Sequence, residues 1–435
     1  MTATHSSSNA ITSAPHGGGG HTFNGVICFG GEDWWYHNRG HYDMQMMREM
    51  SRRVPVLYVN SIGMRVPRVT EGRMFVTRVR RKLESLRRGL IVVRKNFAVF
   101  SPVAAPGRAG RRMTRVTLPI QVLRAAGRFG ISRPLVWVAC PPAIEAAPRL
   151  RPVGLVYQRT DRFEEFSGVD PDLIRRYDRR LKSTADLTLF CASHLYEREA
   201  DACRRAAYVD HGVDFERFAA AGRAIDAGDT SVEPADVRDI PRPRVGFIGG
   251  IDSHTFDPAL FVAVATRLPH VQFVMVGGCS LADGWCDLPN VRLLGQRPYE
   301  EVAGYMASCD VLIMPWNEND WIRACNPVKL KEYLAAGRPI ITRPFDELRN
   351  YAGYVRIASS PDEFAAAIRR ALDSPDAPER LRARVERSTW SDKSNAALSA
   401  LQAAGLAPIG NATSASDAVS SESAAPVKAL ESFAS

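Results

Sequence analysis

Asn326-Pro-Val-Lys-Leu-Lys-Glu332-Tyr-Leu-Ala-Ala-Gly337-Arg-Pro-Ile-Ile341 is the stretch from which the rest of the chain can be read. Pro327 suits the first turn of a helix, where a missing N–H costs nothing, and Asn326 before it reads as the N-cap. Val328, Leu330, Tyr333 and Leu334 recur at near-helical spacing, Gly337 supplies a left-handed stop, and Pro339 prevents continuation. Ile340-Ile341-Thr342 then reads as a short buried strand. The helix N-terminus offers free N–H groups and a positive dipole end, which suit a phosphate. Lys329 and Glu332 are three apart and share a face one turn inside that end. A cation beside phosphates and a carboxylate for vicinal hydroxyls is the set a nucleotide-sugar site needs. From these residues alone, a surface helix on which Lys329 and Glu332 form a solvated pair is the stronger reading.

The same stretch resembles the nucleotide-sugar signature of glycosyltransferase family four. Within that family it is most similar to the teichuronic-acid-type and related bacterial envelope glycosyltransferases, through the core Asn326-Pro-x-Lys329-x-x-Glu332-Tyr333. At lower specificity the resemblance runs from Val26 to the helix ending near Ala404. It implies an α/β chain with the GT-B fold, two facing Rossmann-like domains with parallel sheets and a cleft between them. It also implies that Asn326, Val328, Lys329 and Glu332 bind a nucleotide-diphosphate sugar, with Lys329 at the departing diphosphate.

The 435 residues suffice for two domains and tails. None of the eight cysteines forms a Cys-x-x-Cys pair or a zinc-like spacing with histidine; most sit in apolar runs and read as reduced core residues of a cytoplasmic protein. No run of eighteen apolar residues and no basic-then-apolar leader is present, so a soluble or peripheral protein is expected. Charge is uneven. Residues 65–133 hold eighteen Arg or Lys against Glu71 and Glu84, a net of +16 in a chain that totals +10. Such a block fits an anionic partner, a membrane surface or a polyprenyl-phosphate carrier, or else a solubilising surface. No nucleic-acid reader motif accompanies it, so nucleic acid is not an expected partner. Residues 1–21 and 405–435, rich in small and polar residues, read as disordered tails.

The first domain is placed at residues 22–218. Gly25-Val-Ile-Cys-Phe29 is a strand running into Gly30-Gly31, followed by a loop with two Trp, a helix from Tyr42 and a strand at Val54–Val59, a βαβ unit. Gly31, Asp33, His37 and Arg39 on that loop, with His211 in the turn His211-Gly-Val-Asp214, are the expected acceptor-side residues. Trp34 and Trp35 read as sugar-stacking aromatics or as packing for the basic helices, with the first reading favoured. One such helix, from Val76, has Val79, Leu83 and Leu86 on one stripe; a second runs from Arg108 to Ala126. If the block meets an anionic membrane, charge alone would attach it weakly and reversibly, and that stripe need not insert. Gln158-Arg-Thr-Asp161 follows the strand ending at Tyr157. Where the family has two aspartates Gln158 replaces the first, and Asp161 is left as a catalytic candidate.

Ala219–Arg242, small and acidic without periodicity, reads as a linker, and residues 243–404 as the donor-binding domain. Gly249-Gly250 and Gly277-Gly278 end adjacent strands, where bare backbone can approach a diphosphate. Gly249, Gly250, Gly278, Arg297 (on the loop resembling the base-holding loop) and Arg323 join the expected donor-binding set. The chain departs from the wider family at Ala324, where the first of two glutamates belongs, and in Ile251–Phe256, which lacks the usual Arg and Lys. The expectation is a glycosyltransferase, retaining by resemblance, with no cofactor and no metal, acting on an envelope glycan or lipid-linked acceptor. A non-catalytic partner subunit or a nucleotide-sugar epimerase built on two Rossmann domains are the alternatives.

Overall fold

The computed structural model describes residues 21–36, 41–64, 73–104, 107–166 and 168–409. His37, Arg39 and residues 1–20 lie outside the described residues, as does most of the second tail.

Two sheets organise the chain. The first has eight strands in the order Leu90–Arg94, Phe97–Phe100, Val56–Val59, Gly25–Phe29, Pro134–Val138, Gly154–Arg159, Leu187–Phe190 and Ala206–Tyr208. All pairings are parallel except that of the edge strand Leu90–Arg94. The central strands are continuous apolar runs because helices cover both faces. In Gly25–Phe29, Val26 and Cys28 enter one core while Ile27 and Phe29 enter the other, the period of two that a strand imposes. The second sheet is parallel throughout, in the order Val291–Gly295, Gln272–Val276, Arg244–Ile248, Val311–Met314, Ile340–Thr342 and Arg356–Ile357.

The domain boundaries differ from those read in the sequence. The stretch read as a linker holds most of a helix, Phe215–Asp226, with Phe215, Phe218 and Ala219 in the core of the second domain. Its alanines form a helix face narrow enough to pack on Val302–Ala307 and Val328–Ala336. At the other end, helix Trp390–Ala403 returns to the first domain, where Trp390, Ala397, Leu398 and Leu401 join the core beside Val26 and Tyr42. A capping box of Thr389 and Asp392 starts it. Leu406–Pro408, assigned to a tail, pairs in parallel with His21–Phe23. The chain therefore crosses between domains twice, and the crossings touch: Val213 N–H donates to the Ser388 carbonyl at 2.9 Å.

Candidate functional site

The quoted stretch forms the helix Val328–Ala336, and Gly337 stops it at φ 75°. Asn326 is not its cap. Pro327 takes the cap position in extended conformation, and the Asn326 amide donates across the domain interface to the Cys191 carbonyl at 2.7 Å. Asn326 is thus a buried tether that fixes the helix N-terminus against the first domain, with its Oδ1 left without a partner among the described residues. Val328 packs on the first domain's core as well. The N-terminal end of this helix therefore sits at the junction of the domains.

Lys329 and Glu332 project from the first turn. A Cβ on Gly249 would stand 2.4 Å from the Lys329 Nζ, so the glycine leaves room for the ammonium against the end of strand Arg244–Ile248. Burial lowers the Lys329 ammonium below the usual lysine range, while Glu332, Cys325 and Asp252 act to raise it. No carboxylate among the described residues lies within ion-pair distance of it. Glu332 is buried, and burial pushes its carboxyl up to about 7 against the pull of Lys329. Among the described residues its side chain accepts one hydrogen bond, from the Tyr299 hydroxyl at a long 3.4 Å. A buried carboxylate with so little to accept is poised for hydroxyl donors from outside. Gly277 closes on Gly249: a Cβ there would meet the Gly249 carbonyl at 1.8 Å, so the two strand ends are in backbone contact. Gly250 and Gly278 lie exposed beside them.

Across the interface, Asp161 follows the strand Gly154–Arg159 and is partly buried. Burial pushes its carboxyl up to about 6, with Arg159 and Thr160 pulling the other way. Burial raises the thiols of Cys191 and Cys325, and the Asp161 charge adds to both, which places it near the start of the organising stretch. Arg159 belongs to the core, bonded to Glu164 at 3.0 Å and to Glu199 at 3.1 Å. Gln158 accepts from the Trp137 indole at 2.7 Å and is likewise held inside.

Several residues singled out in the sequence are held by partners within the protein. Asp33 accepts from the Ser85 hydroxyl at 2.8 Å and from the Trp35 N–H at 3.0 Å, tying its loop to the first basic helix. Trp34 is buried on Phe97, ring centroids 4.8 Å apart, and Trp35 carries the Arg88 guanidinium at 4.6 Å. Trp34 is therefore packing, and the favoured stacking reading gives way for that residue, while Trp35 stays half-buried under its guanidinium. Gly31 donates to Asp43 at 2.8 Å, and that carboxylate also accepts from Tyr58. His211 is enclosed between Tyr42 and Trp390; burial and Lys331 drive its imidazole down to about 3, so it stays neutral. Arg297 is held by Asp236 at 2.6 Å and by the Tyr305 hydroxyl at 2.8 Å, away from Lys329 in its partners. Arg323 is exposed and paired with Asp320. Ala324 packs with Phe190 and Leu195 of the first domain, so a small side chain is what this interface takes.

Sequence reasoning missed Tyr299, whose hydroxyl reaches Glu332 and whose ring carries Arg217 at 5.1 Å. It also missed Lys331, buried and paired with Asp210 at 2.5 Å, with Lys393 on the other carboxylate oxygen. No local pattern marks either; both depend on partners more than thirty residues away.

Residues 242–374 match the family model described as Glycosyl transferases group 1. A Bacillus subtilis (strain 168) protein, TuaH, named as a glycosyltransferase of teichuronic acid biosynthesis, is 29% identical over 187 residues. That match spans 39% of this chain and 45% of the relative's length. Among solved structures, Anabaena HepE in complex with UDP-glucose superposes with a TM-score of 0.59 at 14% identity, over 87% of this chain and 99% of that one. An Escherichia coli structure described as trehalose-6-phosphate bound with UDP-2-fluoro glucose gives 0.59 at 11% identity, covering 87% and 99%. A Rickettsia africae glycosyltransferase gives 0.60 at 9% identity, covering 87% and 98%. These likenesses establish the fold as GT-B, two Rossmann-like α/β domains.

Proposed function

From that fold and the group 1 match of its second domain, we propose that the chain is a glycosyltransferase that moves a sugar from a nucleotide diphosphate to an acceptor held between the domains. The observation that carries the reading is the pair Lys329 and Glu332. Both are drawn out of water at the N-terminal end of one helix, and each is left short of partners beside glycine-terminated strands. The diphosphate takes the helix N-terminus and the Lys329 ammonium, which stabilise it as it departs. The ribose hydroxyls donate to Glu332. UDP complexes of HepE and the E. coli structure favour uridine as the base.

Asp161 faces this end from the first domain and meets the transferred sugar. Closure about the paired crossings at Val213 and Ser388 brings donor and acceptor together. The name of TuaH supports an envelope glycan or its lipid-linked precursor as acceptor. Retention of configuration rests on the resemblance of the Asn326–Ile341 signature. Among the described residues no helix is long and apolar enough to cross a membrane, so contact with a lipid-linked acceptor is peripheral in this reading.

Titrating UDP and uridine into the wild type and Lys329→Ala tests the assignment. Loss of a charge-assisted contact of about 1.5–3 kcal/mol weakens UDP roughly tenfold to a hundredfold and leaves uridine unchanged. Equal losses for both would make Lys329 a structural residue. Release of UDP from a UDP-sugar, dependent on an added glycan or polyprenyl-phosphate-linked acceptor, then distinguishes transfer from binding alone.

A further inference from the structure

Helix Gly107–Arg128 contains six arginines and no aspartate, glutamate or lysine. Its inner face, with Leu118, Val122, Ala125 and Ala126, is buried in the first domain. Its outer face is not the polar one that a solvated helix presents. Met113, Val116, Ile120 and Leu123 stand there at spacings of three, four and three residues, each between 44 and 59% exposed. The Gln121 side chain exchanges hydrogen bonds of 2.9 and 3.0 Å with the Val103 backbone, which sets the equally exposed Val103 beside this strip. Arg112, Arg115, Arg124 and Arg128 flank it, and among the described residues none of them has a carboxylate within ion-pair distance.

We propose that this face is a docking surface for an anionic lipid bilayer. The four aliphatic side chains enter the boundary between headgroups and acyl chains, and the flanking guanidiniums bind lipid phosphates. Charge complementarity selects this occupant. A second copy of the chain would set two unpaired arginine clusters against each other. A nucleic acid would gain nothing from four aliphatic side chains with no aromatic among them. An anionic bilayer satisfies both halves of the surface at once. The inference differs from attachment by charge alone, and it places the inserting strip on this helix rather than on Arg73–Arg88. The helix follows strand Phe97–Phe100 and leads into the parallel strand Pro134–Val138. Its N-terminal half, with Met113 and Val116, therefore lies at the carboxyl end of the sheet, the end that also bears Gly31.

Flotation of the full chain with vesicles of phosphatidylcholine, and of phosphatidylcholine mixed with phosphatidylglycerol, tests the proposal. The wild type floats with the mixed vesicles and not with the neutral ones. A Val116→Ser, Ile120→Ser, Leu123→Ser variant partitions roughly tenfold less or worse at low salt, because apolar burial is lost while every arginine remains. Far-UV circular dichroism and UDP affinity check that this variant keeps its fold and its cleft, so a failure of the nucleotide-sugar reading cannot imitate a failure here. Raising the salt reduces wild-type binding but leaves a residue that the variant lacks. Equal partitioning of the two proteins, wild-type binding to neither vesicle, or self-association of the free protein that the serines abolish would each overturn the proposal.

Discussion

At the residue scale, Glu332 links binding to stability. Its carboxyl is raised to about 7 in the folded chain, so folding favours the protonated form. The sign follows from proton binding: relative stability is full below the unfolded value near 4.5 and is lost as pH rises through about 7. Glu332→Gln, which cannot ionise, is expected to melt above the wild type at pH 8, by on the order of 1–3 kcal/mol, and to converge with it near pH 4.5. The same variant binds UDP more weakly at pH 8. A melting curve and a titration at each pH check both halves; a variant less stable than wild type at pH 8 contradicts the buried, ionising carboxylate. Gly249→Ala probes the neighbouring cation. The added methyl meets the far end of the Lys329 side chain, 2.4 Å away, and the Phe247 ring at a milder 3.3 Å, and the ammonium can swing aside. We expect little change in Tm but a fall in UDP affinity approaching that of Lys329→Ala, and a folded variant with full affinity would remove Lys329 from the diphosphate.

At the scale of elements, what was legible in the sequence was what local chemistry fixes. Pro327, the apolar spacing and Gly337 bounded the organising helix because each acts within a turn of its own position. Gly337 sits at φ 75°, and a Cβ there would approach the Arg382 guanidinium at 2.7 Å. Gly337→Ala should therefore cost roughly 1–2 kcal/mol in urea unfolding, with the donor site intact once folded. Asn326 shows where such reading stops. Its amide looks like a cap in sequence, yet its partner, Cys191 O, lies 135 residues away. The segment before Arg242 read as a linker because alanine and glycine carry little hydrophobic signal; in the fold their smallness is the reason helix Phe215–Asp226 fits. At Gly222 a Cβ would meet the Ala336 carbonyl at 2.2 Å. Aromatic residues on the Asp33 loop suggested a ligand, but apolar burial against Phe97 satisfies Trp34 equally well, and composition does not separate the two outcomes.

At the scale of the whole molecule, the domains are joined by buried polar contacts as well as by two crossings. Glu347 of the second domain accepts from the Ser193 N–H, the Ser193 hydroxyl and the Tyr208 hydroxyl, each at 2.9 Å. Asp210 stands between Lys331 from the organising helix and Lys393 from the helix that returns to the first domain. Burial opposes ionisation of Asp210, but the two ammonium groups prevail and hold its carboxyl at about 2. Lys331 is 1% exposed and burial brings its own ammonium down to about 8, so it depends on that carboxylate. Asp210→Asn leaves two cations facing each other at the junction. The expected loss is roughly 2–4 kcal/mol, short of the fully buried case because Asp210 and Lys393 each keep 18% exposure. The pH dependence has the opposite sign to that of Glu332. Asp210 contributes above its unfolded value near 4 and loses that contribution as pH falls towards 2, so wild type and Asp210→Asn should converge in acid. Because the triad joins elements of both domains, its loss should also separate one unfolding transition into two in urea. A single transition of undiminished stability at pH 7 would show that Asp210 does not hold the domains together, and that closure of the cleft is governed by Glu347 and the crossings instead.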